Sequence, residues 1–166
     1  MHNDTDHVNF AMKIGNQAMP ESLTRDTGDV NNGDHLVGLC FGPFPIDPAA
    51  PIVVNYQILN SSADAGKIKA VFDDVAKALA SSSAVTGNWW AAAALAVAKY
   101  VAGFILPGNC DGPVAADQVS VTGADLINWT QGNGIYAETR FYPGTDSNVG
   151  CGSNSRYYVT WSVIRL

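Results

Sequence analysis

Two glycine-bearing loops collect the residue types that hold hard cations. "NCDGPVAAD", residues 109–117, carries Asp111 and Asp117, and "GTDSNVGCGSNS", residues 144–155, carries Asp146 and Asn148. Ca2+ takes carboxylates, amides and backbone carbonyls, and glycine lets those carbonyls converge. Asp111, Asp117 and Asp146 are therefore the metal-ligand candidates. Together with Asn148 and Tyr142 they form the expected binding set, with Ca2+ as the implied cofactor. Their spacing matches no EF-hand, and Asx turns account for the same residues without a metal. The terminal "HNDTDH" is a further chelating pattern, set against a simple solvated terminus.

Catalytic patterns are thin. There is no G-x-S-x-G elbow, no G-x-G-x-x-G and no phosphate-binding loop with Lys-Ser/Thr. Cys151 needs a histidine to poise it as thiolate, and the chain offers only His2, His7 and His35. The glutamates are Glu21 and Glu138 alone, too few to suggest an acid–base pair, although a carboxylate pair leaves no local motif. Amphipathic rings at Trp129, Tyr136, Tyr142 and Tyr158 suit a carbohydrate or lipid headgroup, or else pack beneath the helices. The expected function is accordingly a non-enzymatic binding module, recognising a glycan, lipid headgroup or protein surface through end loops, with or without Ca2+. The alternatives are a small hydrolase using loop Asp, Cys or His groups, and a lytic protein that inserts a helical hairpin.

Three cysteines leave one without an intramolecular partner. Cys40 lies in an apolar run and reads as a small buried hydrophobe. Cys110 and Cys151 interrupt glycine-bearing turns and are expected near each other, as a disulfide or as two thiols.

The elements that position these loops follow from periodicity. "HVNFAMKI" alternates, with Val8, Phe10, Met12 and Ile14 to one side and Asn9 and Lys13 to the other, which predicts a half-buried strand. Residues 15–34 are polar and turn-rich and read as a surface loop. Strand patterns recur at 35–41 and 51–59. In residues 65–82, Ile68, Val71, Phe72, Val75 and Leu79 mark one face of a helix. "DQVSVTG" reads as a short strand, "DLINWT" fits helix or strand, and "GIYAETRFY" alternates. In "RYYVTWSVIRL", Tyr157, Val159, Trp161 and Val163 share one side.

Within "NWWAAAALAVAKYVAGFIL", Trp89 to Leu106 would span about 27 Å as a helix, near bilayer thickness. Lys99 near its middle is costly in hydrocarbon, and the small stripe of Ala92, Ala96 and Gly103 suits close packing against another backbone. A core helix is expected, with no stable transmembrane segment. The fold expected is mainly β: one domain, an antiparallel sandwich of six to seven strands with a helical hairpin at 65–82 and 88–105 inserted.

At 166 residues with 47% hydrophobic content, the chain is long enough for one sizeable core. Its net charge of −6 and nine scattered basic residues speak against nucleic acid, and predict repulsion from acidic membranes. The first ten residues show no basic patch followed by an apolar run, so no signal peptide is visible there. Sparse Lys and Glu beside abundant Asn, Ser, Thr and Gly favour a secreted over a cytoplasmic setting.

If the three aspartates converge, a cation that binds only the folded site stabilises it. At a hundred times its dissociation constant, Ca2+ should add about 2.7 kcal/mol. Thermal unfolding with Ca2+ and with EDTA reads this, and Asp111→Asn should abolish the shift.

Overall fold

The computed structural model describes residues 5–15, 17–18, 23–27, 35–61, 66–70, 72–74, 112–142 and 156–166. It is mainly strand, in two antiparallel sheets, with few helices. Among the described residues seven strands run in chain order: β1 (Thr5–Ile14), β2 (Gln17–Ala18), β3 (Leu23–Asp26), β4 (Pro51–Ser61), β5 (Gly112–Thr122), β6 (Ile135–Tyr142) and β7 (Tyr157–Ile164). The helical residues 66–70 and 72–74 belong to α1, and Gly123–Trp129 form α2.

β4 lies between β1 and β5 in the larger sheet, with β2 and β3 pairing the outer edge of β1. β6 and β7 form a separate two-stranded ribbon. Both sheets contribute to one apolar cluster. Ile52, Val54 and Tyr56 of β4 and Val119 of β5 meet Leu126 of α2 and Trp161 of β7, with Phe10, Met12 and Ile14 of β1 packed alongside. Paired residues in a sheet share a face, so Met12, Val54 and Val119 stand in one row across three strands. Trp161 meets Trp129 and Tyr136 edge-on, at ring-centroid distances of 6.4 and 5.8 Å.

The other face of the sheet departs from the alternation rule. Asn9 and Lys13 were expected in solvent, yet Asn9 is 0% and Lys13 3% exposed, and Asn55 and Gln57 of β4 are 0% and 4%. Both faces of the sheet are therefore covered. At one end of this second face, Leu59 packs with Ile68 and Phe72 of α1. Those two residues are four apart and share the buried stripe that the periodicity predicts. Lys69 and Asp73 form an exposed ion pair of 2.9 Å. Residues 75–82 of the expected first helix and the whole of 88–105 lie outside the described residues. Among the described residues no helix is long and apolar enough to cross a membrane.

Two segments differ from the sequence reading, and a third that it left open is decided. Residues 35–41 pair with no strand, although their apolar pattern suggests one. Gly38 takes φ +68° and turns the chain, while Arg25 donates to the Val37 carbonyl at 2.5 Å and so occupies a ladder acceptor. Cys40 is exposed, not buried. Within the polar stretch 15–34, β2 and β3 add to the edge of β1, because backbone groups pair regardless of side-chain polarity. "DLINWT" resolves as helix, and the deciding feature is a reciprocal cap. The Thr122 hydroxyl accepts from Asp125 N–H at 3.2 Å, and Thr122 N–H donates back to Asp125 Oδ2 at 2.7 Å. Donation to Asp125 Oδ2 from the Thr122 N–H and then from the Thr122 hydroxyl, the latter also at 2.7 Å, holds the Asp125 carboxyl below the usual carboxylate range.

α2 enters against the turn at Asp47–Ala50. Gly123 N–H donates to Ala50 O and Ala124 N–H to Pro48 O, both at 2.9 Å. A Cβ on Gly123 would collide with the Asp47 carbonyl oxygen and lie 2.7 Å from Ile46 Cγ2. Gly123→Ala should therefore overpack this contact and cost about 1–3 kcal/mol. Chemical denaturation checks it, and an unchanged midpoint would contradict the close approach.

Candidate functional site

The β6–β7 ribbon sorts its residues by alternation into an inner and an outer face. Tyr136, Glu138, Arg140 and Tyr142 of β6 are half-buried, as are Tyr157, Val159 and Val163 of β7, with Trp161 buried among them. The intervening residues are all exposed: Ile135, Ala137, Thr139 and Phe141 on β6, and Tyr158, Thr160, Ser162 and Ile164 on β7.

A polar network occupies the inner face where β6 meets β5. Tyr56 is directly opposite Asp117 in the β4–β5 register, so both side chains stand on the face that the ribbon covers. Tyr142 closes over them. Its hydroxyl donates to Asp117 Oδ2 at 3.2 Å and lies 2.5 Å from the Tyr56 hydroxyl. Arg140 donates through Nη1 to Asp117 Oδ2 and through Nε to Glu138 Oε1, the latter at 2.7 Å. Asn55 Nδ2 donates to the Asp117 backbone oxygen at 2.8 Å from the opposite face.

The electrostatics fit a clamp. Burial is the main cause that raises Tyr142 well above an ordinary phenol, followed by its contact with Tyr56 and the charge of Asp117. Burial likewise raises Tyr56. Hydrogen bonds to Glu138 and then Asp117 raise Arg140, which stays a cation. Two protonated phenols, one guanidinium and two carboxylates thus satisfy one another, and the two sheets are tied at this point.

The outer face is chemically different. Phe141 and Tyr158 are paired in register, with ring centroids 5.1 Å apart at an angle of 44°. Thr139 and Thr160 come next, hydroxyl to hydroxyl at 2.8 Å, then Ala137 opposite Ser162 and Ile135 opposite Ile164. No charged side chain interrupts these four rows. Phe141 and Tyr158 lie at the end of the ribbon from which the chain leaves toward Asp146 and Asn148.

Of the residues expected to bind, Asp117 and Tyr142 are brought into direct contact, joined by Arg140, Glu138 and Tyr56. Asp117 stands within β5 and not in a loop, since that strand already begins at Gly112. Asp111, Asp146 and Asn148 lie outside the described residues, as do Cys110 and Cys151. Among the described residues no three His, Cys, Asp or Glu side chains gather as a metal ion requires. The alternation of "GIYAETRFY" already places Glu138 and Arg140 in phase with Tyr136 and Tyr142, which is the signal for their inward placement. Tyr56 carries no such signal, because its partners come from strands remote in the chain.

No protein-family model, curated protein or solved structure matches this chain.

A phenol raised in the folded state contributes its stability fully below the unfolded value, near 10, and loses it as pH rises through the folded value. The free energy of unfolding should therefore decline above about pH 10. Tyr142→Phe should cost about 1 kcal/mol at neutral pH through the lost hydrogen bonds. It should also make the alkaline decline shallower. Urea unfolding across the alkaline range tests both, and an identical slope in the variant would remove Tyr142 from the account.

Proposed function

We propose that the chain is a non-enzymatic binding module, built as a β-sandwich of six to seven strands. It recognises a glycan, lipid headgroup or protein surface at the loop end of the β6–β7 ribbon. The observation that carries this reading is the outer face, with its uncharged rows capped by the Phe141–Tyr158 pair. Large exposed rings are costly in water, so the paired Phe141 and Tyr158 suit a contact surface. Aromatic rings beside hydroxyls suit partners that present both apolar and polar surface. The inner network supports the same reading indirectly, because it braces β6 against β5 and holds the outer rings at fixed positions.

A Ca2+-dependent form of this module draws on Asp111, Asp146 and Asn148. Asp117 is the less available ligand, since Arg140 and Tyr142 already engage its carboxylate.

Phe141→Ser combined with Tyr158→Ser should reduce binding about tenfold or more, which corresponds to about 1.4 kcal/mol. Both side chains are exposed, so the melting temperature should hardly move. The measurement is binding of both proteins to immobilised glycans, to lipid vesicles and to themselves. Wild-type binding that survives the double substitution would place the contact surface elsewhere.

A further inference from the structure

We propose that the outer face of β6–β7 docks onto a bilayer surface bearing anionic headgroups, an assignment that rests on reading this face as the contact surface. The apolar residues come first. Ile135, Phe141, Tyr158 and Ile164 are 49%, 50%, 71% and 60% exposed, and Leu166 just beyond β7 is 94% exposed. They stand at the two ends of the ribbon, an aliphatic pair at one and an aromatic pair at the other. Uncharged Thr139, Thr160, Ala137 and Ser162 lie between. Such a face can settle at the headgroup–acyl boundary without burying a charge.

Charge selects the partner. The described residues of the ribbon and its flanks, 135–142 and 156–166, carry Arg140, Arg156, Arg165 and one acid, Glu138, in a chain of net charge −6, and with Arg140 held inside by Glu138 and Asp117 the exposed charges are Arg156 and Arg165. Glu138 lies on the inner face and is paired to Arg140. Arg156 and Arg165 are exposed and bracket β7 at its two ends. The repulsion expected from the whole-chain charge is therefore reversed locally. A second copy meeting the same face would bring the arginine-bearing ends of β7 together, and among the described residues the outer face of β6–β7 holds no carboxylate to answer them. A neutral glycan leaves both arginines without a role. Anionic headgroups answer both features at once.

Flotation with phosphatidylcholine vesicles, and with vesicles that also contain phosphatidylserine, tests this. Wild-type protein should float with the second kind, and added salt should weaken it. Arg156→Gln with Arg165→Gln should reduce that binding about thirtyfold, from the usual contribution of two arginines near an anionic surface. Phe141→Ser with Tyr158→Ser should abolish flotation. Soluble glycerophosphoserine should not compete, and competition by it would overturn docking on a bilayer in favour of a headgroup pocket. Circular dichroism confirms folding, and the arginine pair serves if the aromatic pair does not fold. Absence of flotation with dimerisation or glycan binding that depends on Phe141 and Tyr158 would overturn the lipid assignment and keep the contact face. Flotation unaffected by both double variants would overturn both.

Discussion

The central position of β4 is the constraint on which the rest of the structure depends. A strand with neighbours on both edges has no backbone group left for water, so β1 and β5 must hold matching registers along its length. The β4–β1 ladder runs unbroken from Ile14–Ile52 to Thr5–Ser61. The β4–β5 ladder shifts register only at Ile58 and Leu59. Once these registers are set, the even residues of β4 face the ribbon and the odd ones face away. Tyr56 then necessarily stands beside Asp117, and Asn55 necessarily points to the other side.

The two faces of that sheet are held in different ways. The ribbon side is packed by shape, with Trp161 seated among Trp129, Tyr136 and the apolar row of β4. The Tyr56–Tyr142–Asp117–Arg140 network lies beside this apolar region and supplies direction, because hydrogen bonds fix an orientation that dispersion alone leaves loose. The far side buries Asn9, Lys13, Asn55 and Gln57. Amide side chains there can pair only in particular geometries, so this face favours a specific arrangement at some cost in stability.

Alternation in the ribbon links stability to the proposed contact. Every inward residue that locks β6 and β7 onto the larger sheet forces its neighbour outward. Arg140 and Tyr142 turned in means Phe141 turned out, and Trp161 turned in means Thr160 and Ser162 turned out. The outer rings are therefore presented on a braced support, with little conformational entropy to lose on binding. The same geometry separates local charge from total charge. The acidic balance of the chain describes its average field, whereas a surface that docks responds to charges within about a Debye length.

What the sequence determined by itself is the set of local periodicities. The alternation of Tyr157, Val159, Trp161 and Val163, the pattern of Val8 to Ile14 and the run from Pro51 to Leu59 each mark a strand. Ile68 and Phe72 mark a helical stripe. These are properties of neighbours along the chain, and the two-residue and 3.6-residue repeats express them directly. Tertiary structure decided everything that depends on a partner. The apolar pattern of residues 35–41 has no strand to pair with and stays out of the sheets. The polar side of β1 is buried because the opposite face is covered too, which alternation within one strand cannot reveal. "DLINWT" becomes a helix through its Thr122–Asp125 cap and the turn that accepts Gly123. Asp117 and Tyr142 stood out in the sequence as candidates only by residue type. Their meeting with Tyr56 and Arg140 follows from strand registers spanning 86 residues of chain between Tyr56 and Tyr142, and a register is a relation between strands that neither strand encodes alone.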